Sequence, residues 1–255
     1  MRRSLSSLVL FLFVSVVSLQ FGCTTMIDGM PPGPAHEAYQ PLESAEAEAF
    51  FFQCLEKAQE QFGAPEVPVT RVLFRRSRKT EAAARYRIAE NFSLTQCIDS
   101  TNGVFVVYIG EDPDGRNFYP LLAHESAHLL NARIMDWYME GLATAFSEEM
   151  CAQHDKAWGD WGRHFRRTRK DPYGRSYRMM RDLKAAFPQA YPSIIRYTRP
   201  NGKNTDWLYI DIDRWLDTLD DDGYAEALDI IEPHLKTLQK YDRVYYTIQV
   251  PAALK

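Results

Sequence analysis

The 255-residue sequence lacks several features that would assign it to a familiar class. It has no excess of basic residues: the net charge is −4 and the pI is about 5.9, which gives no global case for nucleic-acid binding. It has only four cysteines and no Cys-x-x-Cys pair, which argues against a cysteine-ligated metal site. It has no internal repeats, and its 45% hydrophobic content suits one globular domain with an ample core.

The N-terminal region lacks an apolar run long enough to cross a bilayer. Residues 8–19 are mostly apolar, but twelve residues are too few for an ordinary transmembrane helix. Two arginines at positions 2 and 3 precede this run, and the pattern predicts a signal peptide over residues 1–22. The following Gly22-Cys23 resembles the lipobox of bacterial lipoproteins, although positions 20 and 21 depart from it. An ordinary secretory signal that leaves Cys23 as a plain thiol is the alternative.

These features predict an exported protein of the bacterial cell envelope. It would be anchored by lipid on Cys23 at the periplasmic face of the inner or outer membrane, or secreted. Residues 23–42 are rich in Pro and Gly and are predicted to form a flexible tether, followed by a folded domain over residues 43–255. In an oxidising compartment two of the other three cysteines can pair, and we suggest Cys54 with Cys97; the alternative is that all three are reduced and buried.

Residues 124–128 read His-Glu-Ser-Ala-His within a segment, 120–132, that predicts a helix with Asn117 as its N-cap. His124 and His128, four positions apart, lie on one helix face and can share a metal ion. Glu125 lies one step round the helix, where it can reach a water on that ion. Two histidines and a glutamate are costly in an apolar helix unless something satisfies them, and a metal would do so.

A second string, Glu140-Gly141-Leu142-Ala143, begins twelve positions after His128 in a predicted helix over residues 136–149. With Trp137 it resembles the W-x-x-E-G-x-A signature of gluzincin metallopeptidases, a resemblance confined to about residues 104–150. The resemblance implies that Zn²⁺ is bound by His124, His128 and Glu140, and that Glu140 is the third ligand.

The spacing departs from the best-known gluzincins, because only eleven residues separate His128 from Glu140. Glu148 follows His128 after nineteen residues, the spacing of thermolysin-like enzymes, and is the alternative ligand. It lacks the surrounding residues that those enzymes carry. Gly141 would allow two helices to approach closely around the ion.

The order of elements predicts an α+β, zincin-like fold: a small mixed sheet packed on the HExxH helix, with a mostly helical C-terminal half. The predicted elements before the metal helix are a helix over 43–62, a strand over 67–74, and a hairpin of Ser93–Ile98 with Val104–Ile109. A final strand is predicted over 244–250. In zincins the strand before the metal helix borders the cleft, so a peptide could add along Val104–Ile109, although its continuous apolar run fits a plain buried strand equally well.

Together with the predicted signal peptide, the resemblance implies an exported zinc peptidase that acts on peptide or protein substrates, with Glu125 as general base. Tyr173 is our first candidate for stabilising the oxyanion, because Tyr-x-x-Ser after the ligand helix looks like related gluzincins. Tyr177, His164 and His154 are further candidates, and a half-buried packing role is an equally open interpretation of Tyr173. The alternative function is a non-catalytic zincin-fold lipoprotein that serves as an envelope scaffold or binding module.

Overall fold

The computed structural model describes residues 25–26, 39–77, 93–167, 171–200 and 207–238. The predicted signal peptide, Cys23 with its predicted lipid, and the predicted strand over 244–250 lie outside these ranges. Within the ranges, no helix combines the length and the apolarity needed to cross a membrane.

A five-stranded mixed sheet forms one side of the molecule. The strand bounds are β1 Thr25–Met26, β2 Tyr39–Pro41, β3 Arg71–Ser77, β4 Leu94–Asp99 and β5 Val104–Ile109. The strands lie in the order β1-β4-β5-β3-β2. Parallel pairs join β1 to β4 and β3 to β5, whereas β4–β5 and β2–β3 are antiparallel. The predicted hairpin is confirmed as β4 and β5.

Helices pack on one face of this sheet and make up most of the C-terminal half. The bounds are α1 Ala45–Phe62, α2 Phe118–His128, α3 Trp137–Gln153, α4 Trp161–Arg167, α5 Pro172–Ala186, a 3₁₀ helix Tyr191–Arg196, β6 Thr198–Pro200, β7 Leu208–Ile210, α6 Ile212–Leu216 and α7 Asp221–Leu238. The first two helices pack on each other, and successive contacts then join α2 to α3, α3 to α5 and α5 to α7. A two-stranded hairpin, β6–β7, lies between α5 and α6 and was not predicted.

The coarse architecture predicted from the sequence, α+β with a small mixed sheet before a mostly helical half, is confirmed. The main core fills the space between the sheet and the helices. The first helix follows its prediction closely: Ser44 caps it by accepting the Ala47 N–H, and it ends where Gly63 takes a positive φ of 102°.

The proposed role of Val104–Ile109 as the cleft strand is wrong, because β5 lies in the middle of the sheet. Hydrogen-bonded neighbours, β4 and β3, occupy both of its edges, so no peptide can add to it. Its side chains are buried on both faces, which is why the run is continuously apolar. Both β4 and β5 contact α2, and β4 adds a side-chain hydrogen bond from Thr95 to Glu125.

Two predictions about the N-terminal half also need correction. Cys54 and Cys97 form no disulfide; together with Cys151 they are buried in the reduced form. Burial raises the pKa of the Cys151 thiol to about 12 and raises that of Cys54 as well. The sheet begins inside the segment predicted as a tether, because β1 and β2 both lie within residues 23–42 and Leu42 is buried in the main core.

Candidate metal centre

Helix α2 presents His124, Glu125 and His128 from its last turns. The helix ends at His128, four residues before the predicted end, because the next two N–H groups bond to Ser126 O and Ala127 O in a tightened 3₁₀ turn. Asn117 occupies the predicted N-cap position but makes no capping bond; its Oδ1 accepts from the N–H of Asp160 instead.

The early end of α2 explains how an eleven-residue spacer suffices. The turn after α2 pairs with β7, since Leu208 N donates to Arg133 O at 2.8 Å. Asp136 then begins α3: one carboxylate oxygen accepts an N–H of the first helical turn at 2.8 Å, and the other accepts Ile210 N–H at 2.6 Å. Burial raises the pKa of Asp136 to about 7. These contacts place Glu140, in the first turn of α3, opposite the two histidines.

Three side chains converge at this point. His124 Nε2 lies 3.1 Å from His128 Nε2 and 3.3 Å from Glu140 Oε2, and one ligand atom from each residue lies within 4.8 Å of the others. All three are buried, with 4%, 0% and 3% of their surface exposed. Ligands at about 2.05 Å from a tetrahedral zinc are separated by about 3.3 Å, so these separations suit that ion.

The electrostatics of the two imidazoles differ. Burial opposes protonation of His124, but the hydrogen bond and the charge of Glu140, together with the charge of Glu125, outweigh it and raise its pKa. Burial lowers the pKa of His128 to about 3, which keeps this ring neutral as a metal ligand requires. His128 Nδ1 is buried and has no hydrogen-bond partner among the described residues.

Thr144 orients the first histidine. Its hydroxyl donates to Glu140 O at 2.7 Å, which leaves the oxygen to accept from His124 Nδ1 at 3.4 Å. This arrangement favours the tautomer with the proton on Nδ1 and the lone pair of Nε2 directed at Glu140 and His128. Trp161 adds an edge-on ring contact to His124, at 5.7 Å between centroids.

A cleft of about 370 Å³ opens onto this cluster, within the size range of small-ligand sites. His124, Glu125 and Glu140 line it, whereas His128 lies deeper. The remaining lining comes from the loops around α2 and from α4 and α5: Ser93, Glu111, Asn117, Leu121, Asp160, Trp161, His164, Phe165, Asp171 and Tyr173.

The alternative ligand Glu148 does not join the cluster. Its carboxylate accepts the hydroxyl of Tyr177, which packs against Trp158 and Phe165. Neither Glu148 nor Tyr177 lines the cleft. His154, at the end of α3, makes its ring contact with Phe50 of α1 and likewise does not line the cleft.

Two of the predicted oxyanion candidates do line the cleft. Tyr173, in the first turn of α5, packs edge-on against Trp137 at 5.0 Å between centroids. His164 on α4 lies with its Nε2 3.5 Å from Asp171 Oδ2 and is 54% exposed. The structure therefore reduces four candidates to these two.

Gly141 allows two helices to approach closely, as predicted, but the helix that approaches α3 here is α5 rather than α2. A Cβ at this position would lie 2.4 Å from Ser176 O, which is closer than atoms can approach. The glycine therefore lets α5 pack directly behind the Glu140 backbone and brings Tyr173 to the cleft.

Comparison with protein-family models, with curated proteins and with solved structures found no match to this chain.

Sequence reasoning missed Thr95, Thr144, Asp136 and Trp161. Thr144 was detectable, because it lies four residues after Glu140 and so on the same helix face. Thr95 and Trp161 had no such signal, since they are brought to the site from a strand and a separate helix.

Proposed function

We propose that this protein is a zincin-like, gluzincin-type zinc peptidase of the bacterial cell envelope. The observation that carries the proposal is the convergence of His124, His128 and Glu140 from two helices on one point. Their chemistry, two imidazoles and a carboxylate, is that of catalytic zinc sites that keep an open position for water. Glu125, adjacent to the first ligand, lines the same cleft.

When zinc is bound, it supplies Lewis acidity that lowers the pKa of water toward 7 and polarises a carbonyl. His124, His128 and Glu140 would hold it. The carboxylate of Glu125 accepts a proton from the water that attacks the peptide carbon and returns it to the leaving nitrogen. Tyr173 or His164, which line the same cleft, can donate a hydrogen bond to the oxyanion.

The envelope location, the anchor at Cys23 and the peptide or protein substrate remain proposals from the sequence. Cys23→Ala tests the anchor: it should abolish metabolic labelling with a lipid precursor and change the processing of the signal peptide. Unchanged membrane association and labelling would exclude a lipid on this residue.

The zinc site is tested with the full-length protein and a matched pair of carboxylate variants. Glu140→Gln should lose bound zinc, whereas Glu148→Gln, at the thermolysin-like spacing, should retain it because Glu148 is engaged by Tyr177. Equal zinc content in wild type and Glu140→Gln, measured by atomic emission after dialysis, would contradict the proposed ligand set.

Catalysis is tested on a broad peptide library. Glu125→Gln should keep wild-type zinc content and lose hydrolysis by about 10²–10⁴-fold, the usual contribution of a general base. If wild type and Glu125→Gln bind zinc and are equally inactive, the peptidase proposal fails, and the alternative of a non-catalytic envelope scaffold or binding module takes its place.

A further inference from the structure

The hydroxyl of Thr95, on the sheet, contacts the proposed general base. Thr95 Oγ1 of β4 lies 2.9 Å from Glu125 Oε2 and 3.1 Å from Glu125 O. Both residues are buried, Thr95 at 0% and Glu125 at 1% exposure. An ionised carboxylate in such a place is costly unless a donor faces it, and the hydroxyl is such a donor.

The hydroxyl is held rigidly. Thr95 lies inside β4, where its backbone is opposite Val107 of β5, and its side chain is on the sheet face that α2 packs against. A β-branched side chain in a strand has few χ1 choices, so the hydroxyl is fixed by the sheet rather than by the helix that carries Glu125. The position of the Glu125 carboxylate is thus fixed by β4 as well as by α2, which carries it.

We infer that Thr95 is the positioning residue for Glu125, fixing its carboxylate in the orientation that proton transfer in the cleft requires. The inference rests on the proposed function, because it assigns the orientation a use in catalysis. Proton transfer depends on a heavy-atom separation within hydrogen-bond reach, so a carboxylate that rotates away lowers the rate without weakening substrate binding.

The same hydroxyl has a second acceptor, and this gives a competing role. In a regular α-helix the Leu129 N–H would bond to Glu125 O, four residues earlier. Because the last turn of α2 is tightened, this N–H bonds to Ser126 O instead. Thr95 could therefore serve mainly the Glu125 carbonyl, as a cap on the last turn of α2. If Thr95 serves the Glu125 carboxylate, the stability that its hydroxyl contributes depends on the Glu125 side chain. If it serves the Glu125 carbonyl, that contribution does not depend on the side chain.

The first measurement needs no turnover. Thermal and denaturant unfolding of the full-length, metal-free protein is compared for wild type, Thr95→Val, Glu125→Leu and the double variant. Thr95→Val keeps the side-chain shape and removes the hydroxyl. We expect it to destabilise the protein more when Glu125 is present than in the Glu125→Leu background. Equal destabilisation in both backgrounds means that the hydroxyl serves the carbonyl, and it overturns the inference.

The second measurement is steady-state hydrolysis by the zinc-loaded protein. Thr95→Val should lower kcat about 10–100-fold with little change in KM and unchanged zinc content, since a small misplacement of a catalytic group has this effect. Thr95→Ser, which keeps the hydroxyl, should recover most of the loss. An unchanged kcat, or a loss confined to KM or to zinc content, contradicts the positioning role.

The two measurements separate the two possible failures. If wild type hydrolyses no peptide although zinc is bound, the proposed function fails. The unfolding cycle still decides whether Thr95 holds the Glu125 side chain. If wild type is active and the cycle shows no coupling, the proposed function stands and the inference about Thr95 fails.

Discussion

Replacing Gly141 by alanine should separate two helices behind the metal centre. The new Cβ would lie 2.4 Å from Ser176 O and 2.5 Å from its carbonyl carbon. Ordinary contact needs about 3.5 Å, so α3 and α5 must move apart by about 1 Å. The obstacle is backbone that cannot rotate away, which places the cost at the upper end for overpacking, about 3 kcal/mol.

Part of this cost is offset, because alanine favours a helix over glycine by about 1 kcal/mol. The net loss is about 2 kcal/mol, which for a domain of this size lowers the Tm by about 4–8 °C. Because Glu140 precedes the glycine and Tyr173 lies on the displaced α5, zinc affinity, measured by competition with a chromophoric chelator, should fall as well.

Gly223→Ala is the matched control for this prediction. Gly223 is also helical, but its nearest neighbour would be the Asp220 carboxylate, a side chain that can shift at the cost of part of its hydrogen bond to the Gly223 N–H. The weakened cap, about 1 kcal/mol, is offset by the helix preference of alanine, so this variant should melt near the wild-type temperature and bind zinc normally. A Gly141→Ala protein that behaves like Gly223→Ala would refute the close approach of α3 and α5.

Three further predictions concern the groups that hold the site. Asp136→Ala should lower the free energy of unfolding by about 2–4 kcal/mol, because it removes the cap of α3 and leaves the buried Ile210 N–H unsatisfied. Asp211 only caps the short α6, so Asp211→Ala should cost about 1 kcal/mol, and similar losses for the two variants in chemical denaturation would contradict the dual role of Asp136. Thr144→Val should weaken zinc binding about 10–100-fold in chelator competition and Thr144→Ser much less, and equal affinities would exclude its role in orienting His124. Without metal, His128 keeps a folded-state pKa of about 3 against about 6.5 unfolded, so unfolded chains take up the proton first and stability falls as the pH drops from about 6.5 toward 3. As the pH drops over that range, His128→Gln should lose less stability than wild type, by a difference of up to about 4–5 kcal/mol. Parallel pH profiles of the two proteins would show that His128 is not buried as a neutral ring.

The elements with strong local signals were predictable. The periodicity and capping residues of α1 depend on neighbours within a few positions, and so does the β4–β5 hairpin, whose turn residues mark its ends. The spacing of His124, Glu125 and His128 also fixes their common helix face, since a helix repeats every 3.6 residues. For the same reason these three residues were the most secure part of the predicted site.

Other features depended on contacts between distant segments. The length of α2 was overestimated, because the chain after His128 is apolar and helix-compatible, but its backbone bonds to β7 instead. The sequence pattern of β5 did not reveal whether it lay at an edge, since a strand's place in a sheet is set by which strands pair with it. The absence of a Cys54–Cys97 disulfide depends on tertiary placement in the same way.

The sequence by itself determined the chemistry available: two imidazoles one turn apart, an adjacent carboxylate and a second helix with a glutamate in its first turn. These follow from local periodicity, which short-range sterics and hydrogen bonding impose. Only the tertiary structure decided which glutamate faces the histidines, and it brought Thr95 to Glu125 and Thr144 to His124. Such choices depend on how the helices and the sheet pack, and packing is fixed by the whole core rather than by any one segment.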